Sequence, residues 1–127
     1  MAAAYGAPVE LPKPMLVATG GMAGAVARWA VLTPTDGAAW ALVTVNSVGA
    51  FVLGLLAHGL LQGDPRRRLV LGVGFCGAFT TFSTLAVDVA GDLDRGAPGA
   101  AMLLLTVSLA AGVAAASLGM RTGGGTP

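Results

Sequence analysis

The apolar positions of this chain fall into four long runs, each closed by a polar or proline-containing break. Met15–Leu32 is the first, stopped by Pro34. Ala38–Leu61 is the second, ended by Gln62-Gly63-Asp64-Pro65. Leu69–Ala90 is the third, followed by Gly91-Asp92-Leu93-Asp94-Arg95-Gly96, and Pro98–Met120 is the fourth. A helix crosses the hydrocarbon core with about 20 apolar residues, so the pattern predicts an all-α integral membrane protein. Residues 15–120 form its four-helix unit, between an N-terminal tail (1–14, the first twelve residues disordered) and a C-terminal tail (121–127). The first run lacks a preceding basic cluster and carries Arg28 near its end, so a cleaved signal peptide is not expected.

Composition agrees. Of 127 residues, 55% are apolar and 10% charged, with mean hydropathy +0.79; a soluble domain averages about 25% charged residues. The net charge of +1 offers no basic field to nucleic acid. The single cysteine, Cys76, lies inside the third run and reads as a packing residue. One histidine, no metal-ligand cluster, no nucleophile–base pair and no convergent carboxylates argue against an enzyme.

Small residues recur at four-residue spacing: Gly20 and Gly24, Gly21 and Ala25, then Asn46, Ala50 and Gly54. Such faces let helix backbones approach closely where no hydrophobic effect drives association. Four thin helices enclose a pathway poorly, so an oligomer is expected. Lys13, Arg66, Arg67, Arg68 and Arg121 fall on one side of the membrane, against Arg28 and Arg95 on the other. Five against two places both termini in the cytoplasm, in the cell membrane of a multi-pass protein.

The polar residues at depth carry the chemistry. Arg28 must pair or snorkel. Asn46 offers two N–H donors and one acceptor, either to glue helices or to line a path for an anion. Thr44, Ser47 and Ser108 can bond back to their own helices, Ser108 to the carbonyl of residue 104. Asp88 is expected at the interface, as a packing or cap residue. The third run is the anomaly, because Gly74, Gly77, Thr80, Thr81, Ser83 and Thr84 sit in its middle. Loosened backbone at that depth is tolerated only where it faces protein, an ion or water. If the helix breaks between Gly77 and Thr80, carbonyls are freed for a cation such as Na+. Phe82 follows, and its ring has a positive edge that can face an anion, with Ser83 adding a hydroxyl.

Three segments together resemble the small fluoride channels, the Fluc or CrcB family. Gly20-Gly21-Met22-Ala23-Gly24-Ala25-Val26-Ala27-Arg28-Trp29 is similar to the family's first-helix signature. Thr44-Val45-Asn46-Ser47-Val48-Gly49-Ala50-Phe51-Val52-Leu53-Gly54 is similar to its second, and Gly74-Phe75-Cys76-Gly77-Ala78-Phe79-Thr80-Thr81-Phe82-Ser83-Thr84 to its third-helix break. The resemblance spans about residues 15–120. It implies an antiparallel dimer of the dual-topology type with two fluoride paths, and a structural Na+, not transported, on the backbone carbonyls of Gly77 and Thr80. It assigns Asn46 and Phe82 to the path, with Ser83 and, by a softer match, Ser108. It also implies passive export of cytoplasmic fluoride and fluoride resistance.

Two residues depart from the pattern: Leu85 where the family has a second phenylalanine, and Asp88 where a glutamate is usual. With the charge bias, Leu85 points to a heterodimer with a paralogous subunit of opposite topology that supplies the missing ring; a homodimer is the other form. A non-conducting partner subunit is one further reading. A small dual-topology proton-coupled multidrug exporter is another, but it needs a carboxylate in its first span, and residues 15–32 hold no Asp or Glu.

Overall fold

The computed structural model describes residues 11–59 and 63–124. Among them the chain is helical without strands, and four stretches are long and apolar enough to cross a membrane. Helix α1 is Lys13–Leu32 and α2 is Ala39–His58. The third span holds two helical pieces, α3 (residues 65–79) and α4 (Phe82–Asp94), and α5 is Pro98–Gly123. Most of the expected disordered stretch, the end of the second run at Leu60 and Leu61, and residues 125–127 lie outside the described residues.

Several helices outrun the apolar runs that announce them, because capping chemistry rather than hydropathy sets their ends. Asp64 caps α3 by accepting the Arg66 backbone N–H at 2.8 Å, with Pro65 at the first helical position. The three arginines that follow are therefore helical although they are not apolar. Pro98 likewise stands at the start of α5, there without a side-chain cap. Helix α4 continues to Asp94 and ends on Gly96, whose φ of 72° closes a turn in which the Ala97 N–H donates to the Asp92 carbonyl. Asp88 is consequently not a cap residue: it lies more than a turn inside α4, and Arg95 caps the helix.

Within α3, Arg68–Cys76 winds as a π-helix between short α-helical turns. Such wide turns are rare in proteins and frequent at functional sites. Helix α1 packs chiefly on α3, and α2 on α5, with α4 also against α5. Both main pairs touch backbone to backbone. A Cβ at Gly20 would overlap the Val70 carbonyl and one at Gly24 the Phe75 carbonyl; across the second pair, Gly54 meets the Ala116 carbonyl and Gly119 the Phe51 carbonyl. Contact this close is what small-residue faces make possible. On the side of α2 facing α3, Gly49 leaves room for the Thr80 methyl and the Phe79 ring. That packing brings α2 up against the loosened part of the third span.

Candidate functional site

Two extended residues separate α3 from α4. Thr80 has φ −77° and ψ 157°, and Thr81 has φ −147° and ψ 115°. Sequence reasoning places the loosened backbone from Gly77; in the structure Gly77 is still helical and the departure comes at Thr80 and Thr81. Helical bonding continues up to the Thr80 N–H, which donates to the Cys76 carbonyl at 3.1 Å, and the Thr80 hydroxyl donates to the same carbonyl at 3.0 Å.

The next residue is held from another helix. The Thr81 N–H, which in a continued helix would bond the Gly77 carbonyl, donates to Asn46 Oδ1 at 2.7 Å. Asn46 Nδ2 donates in return to the Thr81 carbonyl at 3.0 Å. An N–H and a carbonyl on one residue leave only one orientation for the carboxamide. Thr81 is 6% exposed, so without Asn46 two buried backbone groups would lack partners, each at about 1–3 kcal/mol. The Thr81 hydroxyl does further work as the N-cap of α4: it accepts the Thr84 N–H at 3.2 Å and lies 3.2 Å from the Ser83 hydroxyl and 3.0 Å from that of Thr84.

Arg28 resolves its burial cost at the same place. Its Nη1 donates to the Thr80 carbonyl at 3.1 Å. It pairs with loosened backbone rather than reaching for the interface, so α1 and α2 each send one polar side chain to the same two residues.

Beside this junction is an open hollow of about 200 Å³, lined by Asn46, Thr81, Phe82, Leu85 and Ser108 among others. One Nδ2 hydrogen of Asn46 is committed to Thr81, which leaves the second for the hollow. Ser108 is 6% exposed, and its hydroxyl has no hydrogen-bond partner among the described residues. The expected back-bond to residue 104 is thus not made, although Thr44 makes the corresponding bond to Trp40 at 2.8 Å. Ser47 Oγ is also buried and unpartnered, but it does not line the hollow. Phe82 stands at the rim, 71% exposed, whereas Leu85 is 3% exposed and closes the inner wall.

Of the residues singled out from sequence, Asn46, Thr80, Phe82 and Ser108 therefore come together. Ser83 does not join the lining; it is exposed, with its hydroxyl turned to Thr81. Gly77 is also exposed, and a side chain there would meet nothing within 4 Å. Sequence reasoning missed Thr81 as the hub. The available signal was its place as a threonine one residue before a new helix, the usual position of an N-cap. No group of three or more His, Cys, Asp or Glu able to hold a metal occurs among the described residues.

The sequence that builds this geometry matches a known family. Residues 15–120 match the family model described as CrcB-like protein, Camphor Resistance (CrcB). A Synechococcus protein named fluoride-specific ion channel FluC 2 is 42% identical over 116 residues, covering 90% of this chain and 81% of the relative. A Symbiobacterium thermophilum protein named fluoride-specific ion channel FluC 1 is 41% identical over 121 residues, covering 87% and 97%. A Halobacterium salinarum protein of the same name is 45% identical over 92 residues, covering 71% and 76%. With the family model matched over residues 15–120 and relatives this similar along most of their own length, the chain belongs to the CrcB-like family.

Proposed function

We propose that this chain is one subunit of a fluoride-specific ion channel that lets cytoplasmic fluoride leave through the cell membrane and so confers fluoride resistance. The names of its relatives support a channel rather than an enzyme. The observation that carries the reading is the hollow between α2, α4 and α5, where the unpartnered Ser108 hydroxyl and the spare Asn46 N–H both line one small space. A buried hydroxyl without a partner is uncommon and calls for an explanation; an anion that accepts its proton is one. Fluoride is small and tightly hydrated, so a path must replace its water with fixed donors yet hold it weakly enough to release it. Ser108, Asn46 and the positive edge of Phe82 offer such a set. Flow is passive, and a negative-inside potential of 100 mV favours exit of each charge by about 2.3 kcal/mol.

The loosened third span fits a monovalent cation as half a cradle. The Gly77 carbonyl has lost its helical donor to Asn46, and the Thr80 carbonyl keeps one lone pair beyond the bond from Arg28. Two carbonyls do not complete a Na+ shell, so an antiparallel partner would supply the rest. Bound there, Na+ would be structural, a fixed charge drawing the loosened backbone of two subunits together. The exposed Gly77 face, free of neighbours, supports that placement.

The partner is proposed to be a paralogue of opposite topology. Leu85 in the inner wall, the charge bias of the chain, and relatives named both FluC 1 and FluC 2 support this over a homodimer. Nothing favours the multidrug exporter, because α1 carries no carboxylate. Liposomes loaded with fluoride test the assembly: slow efflux is expected from this chain alone and fast efflux after co-reconstitution with a paralogue of inverse charge bias. Fast efflux from a confirmed homodimer would contradict the paired form while leaving the fluoride reading intact.

A further inference from the structure

A second hollow, of about 560 Å³, lies where the start of α1 meets the start of α3, and it shares no residue with the one around Asn46. Lys13 and Arg68 line it, with Asp64 beside them and Leu69 and Val73 continuing along α3 toward the bilayer interior. We propose that this hollow binds the phosphate headgroup of an anionic phospholipid from the cytoplasmic leaflet, with one acyl chain lying along Leu69 and Val73.

The charges are arranged for such a ligand. Among the described residues Asp64 is the one acidic group in the lining, and both its oxygens have partners. Oδ1 accepts the Arg66 backbone N–H at 2.8 Å, and Oδ2 lies 3.5 Å from Arg67 Nε. Neither Lys13 nor Arg68 has an ion pair or side-chain hydrogen bond among the described residues, and both are exposed. Two uncompensated cations on neighbouring helices therefore face one space at the membrane boundary, where anionic lipids concentrate. A basic run that served only to set orientation would need the charges but not the apolar floor. Val73 is exposed and Leu69 half-buried, and both lie deeper in the span than Arg68. That sequence, cationic head and then apolar wall, matches a lipid from headgroup to chain. A free anion would gain nothing from Leu69 and Val73.

Native mass spectrometry of the purified full-length chain, released from micelles doped with phosphatidylglycerol or phosphatidylcholine, tests the proposal. Phosphatidylglycerol adducts should persist after phosphatidylcholine is stripped. Lys13→Gln and Arg68→Gln should each lower phosphatidylglycerol retention about fivefold, and the double variant about thirtyfold, since each basic residue beside an anionic leaflet contributes to that extent. Arg68→Lys and Arg121→Gln should retain it, the first keeping the charge and the second lying outside the hollow. Equal retention of both lipids, or an unchanged double variant, would overturn the site. Displacement of the lipid by equimolar soluble glycerol phosphate would overturn the lipid assignment in favour of a free-anion site.

Discussion

The bond pair between Asn46 and the Thr81 backbone can be removed with almost no change of shape. Asn46→Leu replaces the carboxamide by a branched apolar group of similar outline, so packing on α2 is kept and only the two bonds, at 2.7 and 3.0 Å, are lost. Each orphaned buried group costs about 1–3 kcal/mol, which sets an upper range near 2–6 kcal/mol for the pair. Interhelical side-chain bonds in membranes are worth less, about 0.6 kcal/mol on average, because the unfolded state finds other partners. Thr81 has little such freedom. Its N–H could return to the Gly77 carbonyl only if Thr80 rotated from ψ 157° back to helix, near −42°, and that rotation would swing the Thr80 carbonyl away from Arg28. The expected loss is therefore about 2–3 kcal/mol, read by equilibrium unfolding of the chain in mixed micelles titrated with dodecyl sulfate. Thr44→Val is the control: its hydroxyl bonds within its own helix and is exposed, so its loss should stay under about 0.5 kcal/mol. If Asn46→Leu unfolds together with Thr44→Val, Asn46 does not hold the junction, and the reasoning from buried backbone groups is refuted.

Helix packing and the hollow give two further expectations on the same assay. Gly24→Ala drives a methyl into the Phe75 carbonyl and should cost about 1–3 kcal/mol, whereas Gly112→Ala meets open space and should be neutral or stabilising by up to about 1 kcal/mol; equal effects would mean that backbone contact does not hold α1 to α3. Ser108→Ala removes a buried hydroxyl that bonds nothing among the described residues, so stability should hold or rise by about 1 kcal/mol, and a clear loss would show that the hydroxyl has a structural partner.

The four spans were legible because lipid demands about 20 apolar residues per crossing, and no other feature of a short chain imitates that. Their ends were less legible, since Asp64, Pro65 and Gly96 set them by hydrogen bonding and positive φ rather than by hydropathy. Polarity in the third run drew attention to residues 74–84, but it could not say which backbone groups lose their helix partners. That depended on Asn46, thirty-five residues away in sequence. Thr81 was overlooked for the same reason: a threonine beside Thr80 is ambiguous until the partner helix is in place. The resemblance puts Ser83 on the fluoride path, yet its hydroxyl lies against that of Thr81 and outside the lining of the hollow. The π-helical stretch Arg68–Cys76 has no signature in one sequence; it lies against the glycine-bearing face of α1.

Whether the hollow between α2, α4 and α5 carries fluoride is tested most directly by electrode-recorded efflux from liposomes holding this chain with its partner. The wild type should release fluoride and retain chloride. Ser108→Ala should slow fluoride about tenfold or more, the scale of one lost hydrogen bond to a charged group, and Phe82→Ile should slow it too by removing the ring edge, while Val113→Ile, on an exposed face of α5 away from the hollow, should match the wild type. Equal fluoride efflux from all four proteins, or none from any, would contradict the assignment.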